Sequence, residues 1–131
     1  MMRVVYRWQV ETGKEEVFAK AWAIGTKAIR SKITGARGSL LLQKRTDPPT
    51  FVGIARWLSL EDWQAFRRGK RPSPAAFRAA GEVSTMLSVE TFNEVRDLRV
   101  FKTSEMGTAQ ATAAKSVKSA KPEKKRKKTK Q

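Results

Sequence analysis

The sequence predicts an α+β fold: one antiparallel sheet with helices on one of its faces. Two observations carry this. Apolar residues switch between a period of two and a period near 3.6 in the order β-α-β-β-α(α)-β, the split β-α-β arrangement of ferredoxin-like folds. The stretch FVGIARWLSLEDWQAF, residues 51–66, also reads as a strand running straight into a helix. Residues 51–58 are β-branched, aromatic or small, with Gly53 as the one breaker. Ser59 then stands as an N-cap, with Asp62 at capping-box distance and Trp63 and Phe66 at helical spacing.

The other elements follow in chain order. RVVYRWQV, residues 3–10, is a first strand that places Val4, Tyr6, Trp8 and Val10 on one face. After the turn at Gly13, Thr12 and Glu15 have capping-box spacing, so a helix is expected from near Lys14. Its apolar stripe is Val17, Phe18, Ala21, Trp22, Ile24, Ala28 and Ile29, and Gly35 stops it. Residues 37–45 form a second strand, and the TDPPT turn at residues 46–50 leads into the third as a hairpin. Residues 60–68 are the second helix. Ser73 caps a third helix expected over residues 74–87, with Pro74 in its first turn and Ala76, Phe77, Ala80, Val83 and Leu87 on its buried side. A last strand is expected over residues 89–101. Leu40, Leu42, Val52, Ile54 and Val95 are too many apolar side chains for so few helices to cover, which points to a homodimer formed through the sheet's second face.

Charge divides the chain in two. Its 131 residues carry a net charge of +16. Residues 1–106 hold 19 Lys and Arg against 11 Asp and Glu, and residues 107–131 hold 9 against 1, so each segment contributes +8. The expected organisation is a folded domain over residues 1–102 and a disordered Lys-rich tail over residues 103–131, which lacks the apolar surface to offset its ordering entropy. Lys124, Lys125, Arg126, Lys127 and Lys128 form its most concentrated basic run, a candidate contact for nucleic acid or another polyanion. A purely solubilising extension accounts for the run equally well.

Composition excludes several chemistries. With no cysteine and no histidine there is no disulfide framework, no thiolate nucleophile and no histidine base or metal ligand. No Gly-rich phosphate loop or carboxylate cluster suggests a nucleotide or a metal, and no cofactor is expected. The first residues lack a continuous apolar signal region and no apolar run approaches the ~20 residues of a membrane span, so the chain reads as cytoplasmic.

The motifs together resemble the antibiotic biosynthesis monooxygenase family of the dimeric α/β-barrel superfamily. The residues that carry the resemblance are the strand and turn-Gly-Lys-Glu-Glu helix start over residues 4–18, the Gly35-Ala36-Arg37-Gly38-Ser39 segment, the Asp47-Pro48 turn, Ala55-Arg56-Trp57 ahead of Ser59–Trp63, and Ser73-Pro74 before Phe77. The resemblance covers residues 4–100. It implies a homodimer whose two sheets face each other to make a barrel, and a pocket in each subunit between sheet and helices. Some members of the family oxidise aromatic polyketides with dioxygen and no cofactor, some degrade haem, and many have no known activity. Members often carry histidines in the second helix and after the Ser-Pro pair. This chain has none, which rules out haem degradation through a proximal histidine.

Within that frame, Trp8, Trp22, Trp57, Trp63 and Phe66 are the candidate binding residues for a small, flat aromatic substrate. Tyr6, Arg56 and Asn93 are the candidate catalytic residues: Tyr6 is the only tyrosine and Asn93 the only asparagine, and Arg56, or Arg7, would stabilise a phenolate. Core packing accounts for each ring taken singly, and a solvated or interface charge for each arginine. Two readings therefore stand: a cofactor-free monooxygenase, and a non-catalytic dimeric domain that presents basic tails to a polyanion.

Overall fold

The computed structural model of the protein describes residues 1–100. The elements are β1 (Met2–Val10), α1 (Glu15–Lys32), β2 (Ala36–Lys44), β3 (Thr50–Trp57), α2 (Leu60–Arg68), α3 (Pro74–Glu82) and β4 (Ser84–Asn93). The strands form one antiparallel sheet in the order β2-β3-β1-β4. The predicted ferredoxin-like order is therefore present. The predicted domain limit at residue 102 and the basic tail, including Lys124, Lys125, Arg126, Lys127 and Lys128, lie outside the described residues.

Strand alternation sorts the side chains. Val4 faces Ala55, Tyr6 faces Gly53 and Trp8 faces Phe51 across the β1–β3 ladder, all on the side that the helices cover. Arg3 faces Arg56 and Val5 faces Ile54 on the other side. The core has two clusters on the helix side. One joins Met2, Val4, Ala36 and Trp57 to Trp63 and Phe66 of α2. The other joins Val10 and Phe51 to Phe18 of α1. Phe18, 1% exposed, meets Trp8 edge-on at 5.2 Å and Phe51 at 5.1 Å, geometries in which aromatic quadrupoles attract.

Helix α2 starts as its sequence dictates. Ser59 is extended, and its Oγ accepts from the Asp62 backbone N–H at 3.1 Å. The other two helix starts differ from expectation. Lys14 is the N-cap residue of α1 and makes no capping bond with its side chain. Thr12 Oγ1 instead donates to Asp47 Oδ1 at 2.8 Å, so its hydroxyl ties the β1–α1 turn to the β2–β3 turn. Ser73 adopts a left-handed conformation (φ 55°) and makes no capping bond, while Pro74 holds the first turn of α3 as predicted. The α1 stripe is also narrower than the periodicity suggests. Phe18, Ala21 and Gly25 are buried, but Val17 and Ile24, seven residues apart, form a separate exposed stripe on the flank.

The largest correction lies at the end of the domain. Helix α3 stops at Glu82 and β4 begins at Ser84, several residues before the predicted positions. Val83 and Leu87 fit a helical stripe, but β1 needs a partner for the hydrogen-bonding groups on its free edge. Residues 84–93 supply it, pairing from Val10–Ser84 to Met2–Asn93 with a bulge beside Arg7 and Trp8. Gly81 and the β-branched Thr85, Val89 and Thr91 make the exchange cheap. Ser84 Oγ donates to Ala80 O at 2.7 Å and closes the helix end.

The sheet's second face carries Leu40, Leu42 and Phe92, each about half exposed, with Val5, Val52 and Ile54 between them. Val95 lies past β4 and is 87% exposed, so it is not part of that face as predicted. An ion cluster crosses the same side: Glu94 accepts from Arg3 Nε at 2.6 Å and from Arg56 through Nε at 2.7 Å and an η nitrogen at 3.0 Å. These charge-assisted bonds lower the Glu94 pKa from 4.5 to about 2.

Candidate active site

A cavity of about 400 Å³ opens between the helix side of the sheet and the three helices. Its existence follows from small residues. Ala21 and Gly25 of α1 and Ala76 and Ala80 of α3 line it where larger side chains would fill it. On the sheet, Gly53 stands opposite Tyr6. A Cβ there would lie 2.9 Å from the far end of the Trp8 ring and 3.4 Å from Trp22 Nε1, so the absent side chain is what lets the two indoles lie over β3.

The walls are aromatic. Tyr6 and Trp8 stack at 5.5 Å with their planes 12° apart, and Trp57 packs on Phe66 at 5.4 Å. Trp22 and Phe77 close the helix side. Such a lining suits a flat ring system.

The polar groups are few. The Tyr6 hydroxyl accepts a hydrogen bond from Trp63 Nε1 at 3.0 Å. Burial raises the Tyr6 pKa above its ordinary value of 10.0, while the Trp63 bond and the positive charges of Arg67 and Arg71 act in the opposite direction. Tyr6 is therefore a neutral phenol at physiological pH, with its oxygen already accepting and its O–H available to donate. The guanidinium of Arg67 lies 4.9 Å over the Trp63 ring, and that of Arg71 lies 4.9 Å over Phe77 and 5.5 Å over Phe66. Thr26, Ser39 and Ser84 contribute hydroxyls to the lining. Among the described residues no group of three or more His, Cys, Asp or Glu side chains gathers in a metal-ligating cluster. No helix among them is long and apolar enough to cross a membrane.

The structure brings Tyr6, Trp8, Trp22, Trp57 and Phe66 together on the cavity. Trp63 stands behind it, 5% exposed, in contact with the lining residues Tyr6 and Arg67. Arg56 borders the wall, but its guanidinium is bound to Glu94 on the other side of the sheet. Arg7 is on that side too, 3.9 Å from Glu90. Asn93 is exposed at the end of β4, opposite Met2, and does not line the cavity. Three further cations of the lining, Arg30, Arg67 and Arg71, are absent from the sequence-based candidates. Arg67 carried a signal, since it follows Trp63 by one helical turn and stacks on the ring that holds Tyr6.

Known proteins share this architecture. SnoaB, a cofactor-independent oxygenase from Streptomyces nogalater, is 22% identical, with 74% of this chain and 95% of SnoaB covered and a TM-score of 0.61. The haem-degrader MhuD from Mycobacterium tuberculosis, solved with two haems bound in its active site, is 24% identical, with 76% of this chain and 100% of MhuD covered and a TM-score of 0.58. At these identities the likeness is one of fold. No curated protein matches the chain. The family model described as antibiotic biosynthesis monooxygenase matches residues 1–83, which takes in β1 through α3 and every sheet and helix residue named on the cavity wall except Ser84. That match spans more than half of the sequence, and the chain belongs to the antibiotic biosynthesis monooxygenase family.

Proposed function

We propose that the protein oxidises a small aromatic substrate with dioxygen in this cavity, without a cofactor. The observation that carries the reading is the aromatic cavity with one partly buried phenol, Tyr6, whose oxygen is engaged by Trp63. Trp8, Trp22, Trp57 and Phe66 hold the substrate ring, and Tyr6 donates to a substrate oxygen. Arg67 and Arg71 add positive potential where negative charge develops. The substrate class is an anthrone-type phenol. A ring-carbon proton passes to water and leaves a carbanion delocalised onto the phenolate oxygen. That carbon reduces dioxygen and bonds to it, the peroxide anion takes a proton back from water, and loss of water from the hydroperoxide leaves a quinone carbonyl. One dioxygen is consumed and one water released per substrate. Purified colourless protein should therefore take up dioxygen with an anthrone in one-to-one ratio. No uptake above the uncatalysed rate across a broad panel of phenols would overturn the reading.

The half-exposed Leu40, Leu42 and Phe92 on the sheet's second face favour a homodimer, with twice the chain mass expected in sedimentation at micromolar concentration. A clean monomer there would remove the barrel arrangement. The +8 of residues 107–131 favours a second role, binding of a polyanion by paired tails. Deleting everything after Met106 should abolish salt-sensitive, sequence-independent binding to duplex DNA or RNA and spare phenol turnover. Equal binding by the truncated and full-length chains would move the anchor to the folded part.

A further inference from the structure

The cavity has an electrostatic asymmetry. Among the described residues Arg30, Arg56, Arg67 and Arg71 line it, and no aspartate or glutamate does. Several arginines of the described residues sit against acids: Arg3 and Arg56 against Glu94, Arg7 against Glu90 and Arg99 against Asp97. Among the described residues none of these ion pairs involves Arg30, Arg67 or Arg71. Arg67 is instead laid over Trp63, behind the wall, and Arg71 over Phe66 and Phe77 of the wall. A guanidinium seated on a ring face is oriented by it and keeps the N–H groups along its edge for another partner. A low-dielectric cavity lined by one sign of charge concentrates ligands of the opposite sign.

We infer that the aromatic ligand of this cavity carries a carboxylate, which Arg67 and Arg71 receive while its ring lies against Trp8, Trp57 and Phe66. This deepens the reading of the cavity as the substrate site and names the substrate class as an aromatic acid. A carboxylate attached to a flat ring presents its two oxygens in the ring plane, the geometry that a planar guanidinium pairs best. A dianionic group would require more donors to replace its water, and the rest of the lining is largely apolar, with Thr26, Ser39 and Ser84 as the neutral hydroxyls.

The test is equilibrium binding to the full-length protein, with dioxygen excluded, of anthracene-2-carboxylate and of its neutral isostere anthracene-2-carboxamide. Quenching of tryptophan emission and calorimetry report the affinity. The acid should bind ~10-fold more tightly than the amide, a preference in keeping with charge-assisted bonds at an open rim and one that shrinks with added salt. Arg67→Gln with Arg71→Gln should remove that preference and leave the amide within ~2-fold of its original affinity, since the substitution removes the charge and keeps an unbranched polar side chain. Arg67→Lys with Arg71→Lys should retain part of it. The basic tail attracts the acid equally in the wild type and in the variants, so the part of the preference that Arg67→Gln with Arg71→Gln removes belongs to the cavity. Equal affinity for acid and amide in the wild-type protein, or binding of neither, would overturn the inference without recourse to any variant. A parallel loss of both ligands in the Gln variant would also overturn it, as loss of packing. Selective binding of the acid with no phenol turnover would sink the oxygenase reading and leave this one intact. Turnover without acid preference would do the reverse.

Discussion

Trp57→Ala should lower the unfolding free energy by ~3–5 kcal/mol, the cost of truncating a large buried ring. Trp57 is 2% exposed at the end of β3, paired in register with Met2 of β1 and Ala36 of β2, and its ring lies against Phe66 of α2. One side chain thus joins three strands to a helix, and part of it also faces the cavity. Alanine would enlarge the void on the cavity side and leave Phe66 without its ring partner, so the surroundings have little to collapse with. Urea unfolding of the two proteins measures the effect. A loss below ~1 kcal/mol would contradict the buried position, because surface substitutions fall in that range.

Tyr6→Phe should reduce phenol turnover by ~100-fold, the size of effect seen when one donor to a developing oxyanion is removed. It should cost only ~1–2 kcal/mol of stability, since the ring and its stacking on Trp8 remain and the loss is confined to the Trp63 N–H, which is left buried without an acceptor. A stability loss of that size leaves the variant folded, so its turnover can be measured. The pH dependence gives a second check. Burial raises the Tyr6 pKa above 10.0, so the donor persists past pH 10 and activity falls only as pH rises through the raised value. Tyr6→Phe should remove that alkaline limb. Turnover within ~3-fold of wild type would mean that Tyr6 is not the donor.

Much of the site follows from alternation. The period-two pattern of β1 puts Tyr6 and Trp8 on the helix side, and the pattern of β3 puts Ala55 and Trp57 there with them. The same rule places Arg56 on the opposite side, where Glu94 holds it, so that position is legible once Trp57 is assigned to the core. Arg67 and Arg71 are harder to find. Charged residues on the last turn of α2 and the loop after it read as solvated, and only the rings beneath them, drawn from α2 and α3, turn them toward the cavity.

By itself the sequence determined the strand faces, the Ser59 cap, the order of elements, the absence of histidine and cysteine chemistry, and the division of charge between residues 1–106 and 107–131. Each of these rests on neighbours a few residues apart, or on composition. Tertiary structure decided what depends on distant partners. Residues 84–87 left their helical pattern to join β4 because the free edge of β1 offered hydrogen bonds that a longer α3 would not have satisfied. Thr12 abandoned its cap for Asp47, which lies 35 residues away. The cavity depends on Ala21 and Gly25 in one helix, Ala76 and Ala80 in another and Gly53 in the sheet, small residues that signal nothing separately and leave a void only when the fold sets them around the same space.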